Sequence, residues 1–320
     1  MVSTTRHDAT RPGLRIALVA LAAVLIVIGG SASWARAAAP KQKTFPTPEA
    51  AVRALMDAVR ADDVKALTSL FGPGSEDLVS SGDDAADARD RALFVKAWDE
   101  AHRLEKPGWG RRVLYVGKDD WPMPVPIVKA GKRWRFQTEE GRQEILSRRI
   151  GENELGAIQT CLAIADAQKE YAVLDRDADR LLEYARKFES EKGKRDGLYW
   201  ETAPGEPLSP LGPLVARATA EGYKNPELMS PYHGYYFKIL TAQGEHASGG
   251  AYSYIVNGNM IGGFAVVAWP ALYRSSGVKT FIVNHEGIVY EKDLGPETAA
   301  LAAAMTVFDP DETWRKVEVK

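Results

Sequence analysis

An α+β fold is predicted for this 320-residue chain by three observations. Helical apolar spacing gives way to short antiparallel strand candidates between Phe45 and Thr138, one long amphipathic run follows, and a second set of strand candidates broken by glycine turns fills most of the remainder. The finer expectation is a helix-plus-curved-sheet module over residues 45–138, then a long helix packed on an antiparallel sheet over residues 139–320.

Thr47-Pro48-Glu49 reads as an N-cap with proline at the first helical position, and Ala51, Leu55, Ala58 and Val59 then recur at helical spacing. A short second helix is expected over Val64 to Phe71, stopped by Gly72-Pro73-Gly74. A third, Asp87 to Leu104, would carry Leu93, Phe94, Ala97, Trp98 and Ala101 as one stripe. Strand candidates follow at Arg112–Gly117, Pro124–Lys129 and Arg133–Thr138, the last two joined by Ala130-Gly131-Lys132.

The amphipathic run places Leu155, Ile158, Leu162 and Ala165 in one row, with Asn153 as a cap or hydrogen-bonding anchor. The pattern loosens over Asp175 to Asp179 and resumes from Leu181 to Phe188; Glu189 to Asp196 reads as a solvated loop. After an irregular Gly/Pro-rich stretch, a helix is expected at Leu211–Glu221. Strands are expected at Gly234–Thr241, Ala251–Val256, Gly263–Trp269, Thr280–Asn284 and Ile288–Glu291, and a helix at Glu297–Val307. "VNGN" and "NHEG" are hairpin-type turns.

Arg6, Arg11 and Arg15 precede an unbroken apolar run from Ile16 to Ile28, and Ala35-Arg36-Ala37 supplies an A-x-A site. Residues 1–37 therefore read as a signal peptide, with an uncleaved anchor over residues 14–35 as the alternative; both put the body outside the cytoplasm, in the periplasm. Losing residues 1–37 removes four Arg and one Asp from 41 basic and 43 acidic residues, leaving a net charge of −5. That balance argues against nucleic acid as a partner. The single cysteine, Cys161, has no internal disulfide partner and lies on the apolar face of its helix, a buried small hydrophobe.

No catalytic residue is expected. Ser276-Gly277-Val278-Lys279 spells S-x-x-K in a turn, whereas that chemistry needs the serine at a helix start. His233, His246 and His285 lack metal-ligand spacing, so neither metal nor cofactor is expected. The acid pairs Asp83-Asp84, Asp119-Asp120 and Glu152 with Glu154 read as solvated turns or helix N-termini. The candidate binding surface comprises Trp121, a platform before a stiff Pro-rich segment, and the group Tyr199, Trp200, Tyr232, His233 and Tyr235, with Tyr236 beside it. An envelope protein or glycan is the expected partner, with membrane contact only through an uncleaved N-terminal segment.

"TPEAAVRALMDAVRADDVKALTSLFGP" resembles the opening of the nuclear-transport-factor-2-like cone fold, which implies helices on a curved sheet around a pocket. "NELGAIQTCLAIADAQKEYA", "GYYFKILT" and "AWPALYRSSGVKTFIVNHEGIVY" resemble the globular part of type IV pilins and pseudopilins. Glu140, Glu144, Arg148 and Arg149 stand where a pilin's apolar filament segment would be, and burying them unpaired costs several kcal/mol each, so a polymerising pilin is not expected. "FPTPEAAVRAL", "GKDDWPMPVPIV", "RRIGENEL", "GKRDGLYW", "SPLGPL", "PYHGYYFKILTAQG" and "TFIVNHEGIVYEKDLG" together resemble a bacterial family known only as domain of unknown function 2950, which implies no activity. The expected role is an exported, non-enzymatic envelope protein for binding or assembly. The alternatives are an envelope glycan or peptide hydrolase using carboxylates, and an accessory component of a pilus or type II secretion machine.

Overall fold

The computed structural model describes residues 41–318, apart from residues 177, 204 and 224–229. The leader and anchor segments read from the sequence lie outside the described residues. Residues 39–320 form one compact unit. It has the α+β composition expected.

The chain begins with α1 (Pro48–Arg60), α2 (Val64–Phe71), α3 (Glu76–Val79) and α4 (Asp84–Glu100). Thr47, Asp63 and Asp83 cap α1, α2 and α4 by accepting from the backbone N–H three residues on. An antiparallel sheet follows, β1 (His102–Gly108), β2 (Arg111–Val116), β3 (Trp121–Pro122), β4 (Ile127–Ala130) and β5 (Arg133–Phe136). Its order is β1-β2-β4-β5, with β3 also paired to β2. Leu55, Leu70, Leu114, Ile127 and Phe136 are all but sealed from water and centre a first hydrophobic core.

The third helix departs from expectation at both ends. The Asp83 cap starts it earlier, and at Ala101 the backbone turns extended, after which residues 102–108 pair with β2. Leu93, placed in the apolar stripe, is 56% exposed.

Helix α5 (Thr138–Tyr171) is the spine. Ile145 packs on the first core, while Ala157, Cys161, Ile164, Ala165 and Tyr171 face a second. Leu155 is exposed, so the buried stripe is rotated from the row read in the sequence. Small residues there let the helix approach the sheet closely. Cys161 is sealed, and burial pushes its thiol up to about 12. Asn153, mid-helix and no cap, donates through Nδ2 to the Ser276 carbonyl at 2.9 Å.

No helix forms among the described residues 172–211. The expected resumption at Leu181–Phe188 is overturned by competing side-chain bonds. Asp175 accepts from the N–H groups of Ala178 and Arg180, which both adopt positive φ, and Gln168 clasps both backbone groups of Ala185. Leu182 is left 60% exposed.

Beyond α6 (Gly212–Ala220) come β6 (Tyr235–Leu240), β7 (Ala242–Gln243), β8 (Tyr252–Ser253), β9 (Ile255–Val256), β10 (Asn259–Met260), β11 (Ala265–Pro270), β12 (Thr280–Asn284) and β13 (Val289–Lys292). Then follow α7 (Thr298–Ala304), β14 (Val307–Phe308) and β15 (Arg315–Lys316). The main sheet, β15-β13-β12-β11-β6, is antiparallel throughout, and α5 packs on β11, β12 and β13. The strand expected over Ala251–Val256 divides into β8 and β9 because Tyr254 between them is drawn into the core. Asn257 and Gly258, both at positive φ, close the β9–β10 hairpin as a type I′ pair.

Candidate functional site

The main candidate is a cleft of about 370 Å³ between the helices and the sheet of the first core. Its walls are Leu55 and Val59 from α1, Phe71 from α2, Val79 from α3, Phe94 from α4, Met123 after β3 and Ile145 from α5. Five helices and a strand turn converge there without filling the space. The volume lies at the lower end of small-molecule sites, and the apolar walls suit a hydrophobic body.

Charged groups ring this cleft. Arg149 donates to the carbonyls of Asp77 (2.6 Å) and Leu78 (2.8 Å), which fixes its guanidinium; burial lowers its pKa against the pull of Asp87, Asp90 and Asp77. Arg148 pairs with Glu144 and lies 5.9 Å from the Trp121 ring centroid. Asp90 stands 3.4 Å from Arg89. Surrounding protein pushes its carboxyl above the usual range, Arg89 pulls it back, and Glu152 and Asp87 push it up again. Water still reaches 59% of that side chain, so screening keeps the effect small.

The expected binding surface is dispersed. Trp121 is at the cleft rim on β3, paired with Val116. Tyr199 and Trp200 line a separate concavity near residues 189–201, where the Arg176 and Arg195 guanidinium groups each lie 5.5 Å from the Trp200 ring. Tyr236 stays partly exposed, its ring tilted against that of Trp269 with centroids 5.6 Å apart. Tyr232 and Tyr235 are core residues and no surface. Tyr235 is sealed, with its hydroxyl donating to the Lys279 carbonyl at 2.9 Å, and Tyr232 packs edge-on against Tyr223. Phenols with a nearby carbonyl or ring partner are buried readily, which is why the loop-aromatic pattern misled.

His233 and Gly234, at φ 51° and 70°, form the type I′ turn that brings Tyr232 and Tyr235 face to face. Gly234 is needed twice, for its φ and because a Cβ would lie 2.5 Å from Asn153 Nδ2. Asp83, 2% exposed, accepts from Gly234 N (2.8 Å) and the Tyr223 hydroxyl (2.8 Å) while capping α4. One carboxylate thus joins the first-core helices to the second-core turn.

His233 Nε2 lies 3.3 Å from Glu221. Burial lowers its pKa, opposed by Glu221 and Asp83 and reinforced by Arg89 and Arg217. The unfolded chain therefore takes up this proton first as pH falls. The contribution of a neutral His233 is complete above about pH 6.5 and declines below it. Urea unfolding at pH 7.5 and pH 5.5 should show a loss on acidification that His233→Asn, which tolerates the positive φ, reduces.

His246 bonds Asp309, whereas His285 lies beside Tyr254 and Phe264. No group of three His, Cys, Asp or Glu side chains placed to hold a metal ion occurs among the described residues. No helix among them is long and apolar enough to cross a membrane.

Sequence reasoning missed Asp90, Phe94 and Val79 as cleft residues. The one available signal was Arg148-Arg149 within an otherwise packing helix, read only as a bar to burial in a filament.

No curated protein and no solved structure matches the chain. A family model does, over residues 42–317, and the chain belongs to the family described as protein of unknown function DUF2950.

Proposed function

We propose that the chain is an exported envelope protein that binds a small amphipathic molecule in the cleft beneath Trp121. The observation that carries this reading is an apolar cleft of about 370 Å³ with the cationic side chains of Arg148 and Arg149 in its lining. Export rests on the arginines before the apolar run Ile16–Ile28 and on Ala35-Arg36-Ala37. A cone-like first module and a pilin-like second one remain part of this reading. Helices bordering a cleft over one sheet, and a long helix on an antiparallel sheet, support them.

Anilinonaphthalene sulfonate, an apolar body with an anionic head, is the probe. The purified chain should bind it at one saturable site, and Ile145→Trp, which fills the cleft from α5, should weaken binding roughly tenfold or more. Equal binding by the variant sinks the assignment.

A specific observation favours hydrolysis as the second reading. Asp90 and Glu152 line the same cleft beside Trp121, and glycan hydrolysis needs a pair of carboxyl groups in one cleft. It predicts release of soluble fragments from purified peptidoglycan, abolished by Asp90→Asn and by Glu152→Gln. Binding without turnover predicts no release from any of the three.

A further inference from the structure

The tip of the β1–β2 hairpin carries Gly108-Trp109-Gly110, and the Trp109 side chain is 87% exposed, more than any other large apolar residue described. Tryptophan is ordinarily mostly buried, so an indole held out on a turn marks a contact surface. The neighbouring β4–β5 tip is fixed beside it, because Lys129 N donates to the Gly110 carbonyl at 2.8 Å. The Lys129 ammonium lies 5.4 Å from the Trp109 ring centroid. Gly131 turns that second tip at φ 63°, and space is open around Gly108 and Gly131.

Charge is segregated here. Residues 106–118 and 121–138 contain eight lysines and arginines and no acid, in a chain of net charge −2. Among the described residues no carboxylate pairs with Lys106, Lys129 or Lys132. Arg133 binds Thr44 through its side-chain oxygen (2.7 Å) and its carbonyl (2.6 Å).

We propose that this pair of hairpin tips is a docking surface for an anionic lipid bilayer. Trp109 sits at headgroup depth, where an amphipathic ring is favoured, and Lys106, Lys129 and Lys132 face the acidic headgroups. The shape selects the partner. A polyanionic strand is held in a groove with bases or sugars stacked along it, whereas a protruding tip flanked by glycines meets a plane. Membrane contact then lies in the folded body, a role distinct from the cleft and from any N-terminal segment.

The test is co-sedimentation with lipid vesicles, using residues 39–320, which form a compact unit containing every core residue. Wild type should pellet with vesicles that are one-third phosphatidylglycerol and stay in solution with pure phosphatidylcholine, releasing as salt rises. Trp109→Ala should lower partition roughly tenfold or more, the return of a ring's worth of apolar contact. Lys129→Ala and Lys132→Ala should each lower it about fivefold. Their urea midpoints should match wild type, because the substituted side chains make no core contact. Partition unchanged in Trp109→Ala, equal pelleting on neutral vesicles, or tight heparin binding with no vesicle binding would overturn the proposal.

Discussion

Asp83→Ala lowers the unfolding free energy by about 3–7 kcal/mol. The carboxylate serves three donors, the N–H of Ala86 and Gly234 and the hydroxyl of Tyr223. Loss of the helix cap costs about 1 kcal/mol. Each of the two other donors is left in a buried site without an acceptor, at about 1–3 kcal/mol apiece. Tyr223→Phe keeps the Asp83 acceptor but takes from the His233 N–H the phenol oxygen it donates to at 3.1 Å, so it should cost about 1–3 kcal/mol. Urea unfolding of both variants decides the matter. If Asp83→Ala unfolds within 1 kcal/mol of wild type, roughly the worth of the cap alone, the link between the cores has no energetic weight.

Gly277→Ala should cost about 3 kcal/mol, in the upper part of the range for overpacking. A Cβ at Gly277 would lie 2.1 Å from Tyr235 Oη. The phenol has nowhere to go, being sealed, bonded to the Lys279 carbonyl and packed 5.8 Å from the Phe281 ring. The backbone at Gly277 is not in the left-handed region, so the cost is steric alone. That makes the prediction specific. Tyr235→Phe removes the nearest clashing atom but leaves the ring carbons Cζ and Cε2 at 2.6 and 2.7 Å from that Cβ, and should cost about 1 kcal/mol by itself. The double variant should lose less than the sum of the two single losses. Additive losses would place the Gly277 requirement elsewhere.

What the sequence revealed of this fold follows from how local each determinant is. Thr280–Asn284 was legible to the residue, since five consecutive buried side chains lie between turn residues. Asn257-Gly258 announced its hairpin by composition. Strand β1 did not, because "HRLEKPG" is almost wholly exposed and shows no alternation; only its pairing with β2 makes it a strand. The false helix at Leu181–Phe188 had the apolar period but lost to the side chains of Asp175 and Gln168, which no periodicity registers. The candidate site was the least legible part. The cleft gathers Val79, Phe94, Trp121 and Ile145 from four separate elements, of which Trp121 alone stood out as a ligand platform. The Asp83 contact with Gly234 spans 151 residues, so the sequence shows the helix cap and hides its partner. Tyr235, by contrast, carried a visible aromatic signal that pointed the wrong way, because its hydroxyl is satisfied indoors.

The central claim is that the cleft beneath Trp121 holds a small amphipathic molecule. Native mass spectrometry of the chain purified from its native source without denaturation tests it most directly. The account predicts a bound species of one defined mass at one copy per chain, absent from Ile145→Trp prepared in parallel. A chain that flies at its bare polypeptide mass, or an adduct retained in full by Ile145→Trp, would contradict it.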